Sequence, residues 1–159
     1  YFDFDLYVTF GKVSGNQGIT KEHKNFESDI FIGGVSMTYN FMHLLKRKRP
    51  IGPFISLGIE TVQFAPKGDL KNNDYTYFYW NDGTIRNVDE NLNQPSLVIQ
   101  QDFKYETDLR DEYNQEYSLM TFGIPLDIGV NVLVADRMTL RLGNTFHFAF
   151  SDYIDGFKK

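Results

Sequence analysis

From its first residues the chain alternates. Phe2, Phe4, Leu6, Val8 and Phe10 are interleaved with Asp3, Asp5, Tyr7, Thr9 and Gly11, the period of two that puts successive side chains on opposite faces of a strand. A second segment sets Phe31, Val35, Met37, Tyr39 and Phe41 against Ile32, Gly34, Ser36, Thr38 and Asn40. A third sets Ile55, Leu57, Ile59 and Thr61 against Ser56, Gly58, Glu60 and Val62. The fourth, Leu119 to Leu133, is the most regular, with Phe122, Ile124, Leu126, Ile128, Val130 and Val132 opposed to Thr121, Gly123, Pro125, Asp127, Gly129 and Asn131. After a tight Ala135-Asp136-Arg137 turn, the fifth places Met138, Leu140, Leu142, Phe146, Phe148 and Phe150 opposite Thr139, Arg141, Gly143, Thr145, His147 and Ala149. These runs are about twice the common soluble strand of about 5–6 residues and suit the tilted 9–11 residues that cross a bilayer. One face is bulky and apolar and the other small, hydroxylic or charged, as where lipid lies outside and side chains fill the interior.

The connections carry the same asymmetry. Those at 14–28 and 65–117 are long and polar, the last is tight, and Met42 to Gly52 is intermediate, with the basic run Lys46-Arg47-Lys48-Arg49. The 65–117 segment is too long for a structureless loop. Asp74 to Trp80, a turn at Asn81-Asp82-Gly83-Thr84 and Ile85 to Val88 read as a hairpin, Leu97 to Tyr105 as a further extended run, and Tyr105 to Tyr117 as an irregular or briefly helical return. The pattern therefore predicts an all-β fold: an antiparallel up-and-down transmembrane β-barrel in one domain over 1–159, with an extracellular insertion at 65–117. Five strands are visible and about eight are expected when complete, because a barrel open to lipid leaves backbone groups unpaired. Further strands are expected beyond Lys159, and Pro125, which donates nothing to a ladder, is expected at a bulge near the rim. The alternative is a soluble β-sandwich or lipocalin-like binding module, since alternation is the same when the apolar face covers a core.

Composition narrows the function classes. Among 159 residues there are 15 Phe, 10 Tyr and one Trp, no Cys, and 16 Lys+Arg against 21 Asp+Glu, a net charge of -5. Such aromatic content excludes a disordered tail, and no run approaches the roughly 18 apolar residues of a spanning helix. Without Cys there are neither disulfides nor thiolate metal sites. The acidic balance argues against nucleic acid as a partner. Tyr1 already lies inside a patterned segment and the last residues read as the start of a loop, so a piece of a longer, processed chain is expected.

Phe122-Gly123-Ile124-Pro125-Leu126-Asp127-Ile128-Gly129-Val130, the Asp136-Arg137-Met138-Thr139-Leu140-Arg141-Leu142-Gly143 run and the ending Phe150-Ser151-Asp152-Tyr153-Ile154-Asp155 together resemble small outer-membrane β-barrel proteins of the Bacteroidetes. These include OmpA-type barrels and the small barrel component of the type IX secretion and gliding apparatus. Tyr77 to Arg86 and Tyr105 to Arg110 look like insertions of larger members. The resemblance implies a bacterial outer-membrane location and a non-enzymatic role, anchoring or assembling an envelope complex, with outer-membrane lipid and envelope proteins as partners.

Candidate chemistry is sparse. A Gly-rich phosphate loop and a Gly-x-Ser-x-Gly turn are both missing, and His23, His43 and His147 fall in separate elements. Asp82-Gly83 reads as a hairpin turn, because Phe78 and Trp80 stand where a calcium loop needs oxygen ligands. No catalytic residue, metal or cofactor is expected. Asp3, Asp5, Glu60, Asp127, Arg141 and His147 are expected to form an interior network, with Arg141 paired to Glu60, Asp127 or Asp5. Tyr75, Tyr77, Tyr79 and Trp80, rimmed by Asp82, Arg86, Asp108 and Arg110, form the candidate partner-binding surface of the insertion. Lys46 to Arg49 reads as a solvated turn near lipid head groups.

Overall fold

The computed structural model describes residues 1–16, 25–44, 50–72, 75–112, 114, 116–135 and 137–157. Five long strands dominate: β1 (Phe2–Asn16), β2 (Asn25–Asn40), β3 (Ile51–Gly68), β9 (Met120–Ala135) and β10 (Met138–Ala149). Between β3 and β9 lie the short strands β4 (Lys71–Asn72), β5 (Tyr75–Thr76), β6 (Phe78–Tyr79), β7 (Ile85–Arg86) and β8 (Thr107–Asp108), followed by one helical turn, α1 (Leu109–Glu112). A 3-10 turn, Phe41–Leu44, follows β2. The expected first loop and insertion are shorter than the sequence suggested, because β1, β2 and β3 continue into polar sequence. Backbone pairing does not require apolar side chains, so periodicity ends before the ladder does. The basic run Lys46 to Arg49 lies outside the described residues.

The chain forms two compact units. The first comprises Tyr1–Phe10, Phe31–Gln63 and Met120–Ser151, and the second Gly11–Ile30, Phe64–Leu119 and Asp152–Lys159.

The first unit is an antiparallel sheet in the order β1-β2-β3-β9-β10. The β9–β10 ladder pairs Leu142 with Val130 and Phe148 with Ile124, and the β3–β9 ladder pairs Ile55 with Ile128. Pro125 does not sit at the expected bulge. It pairs with His147 on the β10 side, while on the β3 side pairing stops after Leu57↔Leu126 and resumes at Glu60↔Gly123 in unchanged register. The missing proline N–H thus interrupts a ladder without shifting it.

The sheet is curled into a half-barrel. Arg141 of β10 reaches Asp5 of β1 at 3.1 Å, although a flat sheet would hold these outer strands about 19 Å apart, four spacings of about 4.8 Å. The concave face carries the small and polar set, and Phe54 is its large buried ring, 1% exposed, alongside Ile32 and Val62. Glycines make the room. A Cβ at Gly123 would come within 2.9 Å of Glu60 Oε1, and one at Gly34 within 2.7 Å of the Tyr7 hydroxyl. The convex face carries the bulky set, with Leu6 83%, Ile59 67% and Phe122 66% exposed.

In the second unit Leu109 is fully buried beside Gly68, and Tyr117 stacks between Phe64 and Tyr153, at 6.5 and 4.4 Å between centroids. Asn25 clamps the start of the insertion. Its amide donates to the Asp69 carbonyl at 2.9 Å and its oxygen accepts from the Asp69 N–H at 2.8 Å. The insertion forms two hairpins, β4–β5 and the expected β6–β7. The second extended run is largely irregular; Val98 bridges Arg86 and the Ile99 N–H donates to the Ile85 carbonyl at 2.8 Å. The return is briefly helical at α1, as expected, and β8 pairs with the end of β3.

Phe54→Ala removes the most deeply buried ring described on the concave face. It is expected to cost about 3 kcal/mol, within the range for buried aromatic truncation, read as a lower denaturant midpoint.

Candidate functional site

Alternation along β1, β3, β9 and β10 aims Asp3, Asp5, Glu60, Asp127, Arg141 and His147 into the concavity, and the curl brings them together in three groups. The largest centres on Arg141. Its guanidinium donates to Asp5 Oδ2 at 3.1 Å, to Asp127 Oδ2 at 3.2 Å and to the Thr38 hydroxyl at 3.0 Å, and it lies 4.0 Å from the centre of the Phe54 ring. Asp5 is on β1, Thr38 on β2, Phe54 on β3 and Asp127 on β9, so one side chain touches each of the other four long strands. The Thr38 hydroxyl in turn donates to Asp5 Oδ2 at 2.8 Å. Glu60 is not a partner of Arg141.

Glu60 anchors the second group. Its buried carboxylate accepts the Tyr7 hydroxyl at 2.6 Å and lies 2.9 and 3.0 Å from His147 Nδ1. In the third, Asp3 accepts from the Asn40 amide at 2.6 Å, and Asn131 donates to Asn40 Oδ1 at 2.7 Å. Tyr7, Thr38, Asn40, Asn131 and Phe54 were missed as partners. Their signal was present, since each shares its strand's inward register. Between the first two groups runs a cavity of about 250 Å³, lined among others by Asp5, Tyr7, Asp127, Arg141, Thr145 and His147. Its charged groups are engaged with one another, an arrangement that crosslinks strands.

The insertion departs further from expectation. Tyr77 is buried, not part of a contact surface; its hydroxyl accepts from the Asp102 N–H at 3.2 Å and lies 3.5 Å from Asp102 Oδ1. Trp80 and Arg86 hold the hairpin together. The indole donates to the Val88 carbonyl at 2.8 Å, and the guanidinium lies 4.0 Å over the indole ring. Arg86 also donates to Asp82 Oδ2 at 3.0 Å, the Thr84 hydroxyl at 3.0 Å and Ser96 at 2.9 Å. Asp82 accepts from the Thr84 hydroxyl and N–H, bonds that hold its carboxyl below the usual range, and Gly83 takes the turn's positive φ of 81°. Asp108 caps α1 through the Arg110 N–H at 2.9 Å, and Arg110 lies 3.6 Å from Asp111. Tyr75 is exposed and Tyr79 half-buried. These aromatics and charges mostly build the insertion. Its exposed apolar groups are instead Leu92, Leu97, Val98 and Phe103.

No protein-family model, curated protein or solved structure matches this chain.

Two outcomes are expected. Arg141→Met leaves Asp5 and Asp127 facing each other and is expected to cost about 1–3 kcal/mol, reduced because the group is one-third exposed. A double-mutant cycle with Asp127→Asn should give a coupling above about 0.5 kcal/mol. Arg86→Ala should lower the local opening free energy of β6–β7 by about 1–2 kcal/mol while leaving exchange in β9 unchanged, read by amide hydrogen exchange.

Proposed function

We propose that this chain is part of a non-enzymatic outer-membrane β-barrel that anchors or assembles an envelope complex. The observation that carries the reading is the inverted sheet: charges converge on the concave side, and the bulky residues stand exposed on the convex side. Ile128 at mid-strand is 49% exposed, and among the described residues no second sheet covers it. Five strands at about 4.8 Å and an apolar run of about eight residues at about 3.3 Å make a face of roughly 600 Å² before side-chain relief. That equals the upper end of about 300–600 Å² for the largest patch on a soluble monomer. Each Leu, Ile or Phe moved from water to hydrocarbon gains about 1.5–3 kcal/mol.

Two further features support a bilayer. Tyr1, Phe2, Tyr39, Phe41 and His43 cluster at one end of the sheet, with centroids 4.2 to 5.4 Å apart, as in an interfacial aromatic girdle. The outer strands β1 and β10 run in the same direction, so an all-antiparallel barrel closes only with an odd number of additional strands; three give eight. A ligand-binding calyx is less well supported, because its inner wall would be mainly apolar. In the same reading the insertion faces outward and Leu92, Leu97, Val98 and Phe103 form the contact surface for a protein partner.

Cell fractionation tests the location: the protein should pellet with outer membranes and require detergent for extraction. Ile128→Arg should cost on the order of 2–4 kcal/mol in bilayers, the penalty for a charge on the lipid face at mid-depth. Recovery as a detergent-free soluble monomer would overturn the proposal.

A further inference from the structure

The cavity on the concave face holds more hydrogen-bond acceptors than the network around it uses. It lies wholly within the first unit, measures about 250 Å³ and is lined among others by Asp5, Ser56, Asp127, Arg141, Thr145 and His147. A water molecule's share of the liquid is about 30 Å³, so the space suits a ligand of at most about eight non-hydrogen atoms. Across it runs a row of three inward side chains. Asp127 on β9 stands directly opposite both Ser56 on β3 and Thr145 on β10, a register that holds the Cβ atoms of neighbouring strands about 4.5–5.5 Å apart. One carboxylate is thus flanked by two hydroxyls.

Ser56 is the unpaired member of that row. Its side chain is buried, the residue being 2% exposed, and its Oγ has no hydrogen-bond partner. A buried hydroxyl without a partner is costly, and the neighbouring Asp127, which meets Arg141 through Oδ2, does not supply one. At the other end of the row Thr145 is exposed.

Charge sets the kind of molecule that fits. The carboxylates of Asp5 and Asp127 face a single guanidinium, Arg141, which already donates to both and to Thr38. Beside His147, Glu60 accepts the Tyr7 hydroxyl and faces the imidazole Nδ1. A carboxylate only accepts, so that nitrogen carries the ring proton and Nε2 is the acceptor of a neutral imidazole. The surroundings are net negative and short of donors. Among the described residues these acidic and imidazole groups do not gather closely enough to share a metal ion. An organic cation that donates several hydrogen bonds matches the wall in both charge and polarity.

We propose that the cavity binds a small primary ammonium compound, its N–H groups shared by Asp127 and the hydroxyls of Ser56 and Thr145. An alkylammonium carries three donors, one for each member of the row. The interior of a barrel of about eight strands is wide enough for one small ligand, so the site is compatible with the proposed barrel, yet it is built from the described sheet alone.

The test is calorimetric titration of the purified full chain with propylammonium chloride. 1-Propanol serves as the uncharged counterpart and tetramethylammonium chloride as the cation without N–H groups. Propylammonium should saturate with a Kd of about 10⁻³ M or tighter, and both controls should bind at least about tenfold more weakly. Ser56→Ala should weaken binding about threefold or more without lowering the thermal midpoint, because the hydroxyl it removes has no partner in the free protein. Thr145→Leu, at an exposed position, should obstruct the cavity and weaken binding about tenfold, again with the midpoint kept. The proposal is overturned if propylammonium gives no saturable heat at about 10⁻² M, if either control binds as tightly, or if both variants bind like the parent. None of these readouts depends on the membrane assignment.

Discussion

The curvature of the sheet is tied to one guanidinium. Arg141 extends from β10 across the concave face and meets a residue of each of the other long strands, two of them carboxylates. A planar fork with several donors bonds separate acceptors at once, which a lysine does not reproduce. Its position on the Phe54 ring supplies an apolar floor and a cation–π contact together. A flatter sheet would separate these partners and leave charges on a partly desolvated face, so network and curl depend on each other. The same dependence explains the inward glycines: Gly34 and Gly123 give up side chains where Tyr7 and Glu60 need the space.

Once the sheet curves this way, its apolar side is committed to the outside. The side chains that would build a core in a soluble sandwich are spread over the convex face, and the charges that would be solvated are turned inward to pair. This inversion links the polar network to the proposed location, because hydrocarbon rewards such a convex surface and penalises any polar group placed on it.

The insertion follows different physics. Its stability comes from local side-chain bonds around Arg86 and Trp80 and from the buried Leu109, with short ladders only. The aromatic density that suggested a docking surface is largely consumed in holding the hairpin and in seating Tyr77 against Asp102. What remains outside is aliphatic, at Leu92, Leu97 and Val98, together with Phe103 in a left-handed conformation at φ 56°.

Much was legible from alternation alone. The five strands, their faces, the β6–β7 hairpin and the inward aim of Asp5, Asp127, Arg141, Glu60 and His147 all follow from period two and turn chemistry, which are local properties of the chain. Alternation assigns a residue to a face but does not choose which distant residues meet there. That Arg141 pairs with Asp5 and Asp127 while Glu60 takes Tyr7 and His147 was decided by the curl, and the burial of Tyr77 was decided by the fold of the insertion. The meeting of Asp69 with Asp102 and Glu106 was likewise tertiary, since residues more than thirty positions apart were brought together by the return of the chain. Local sequence sets the direction of a side chain; only long-range closure sets its partner.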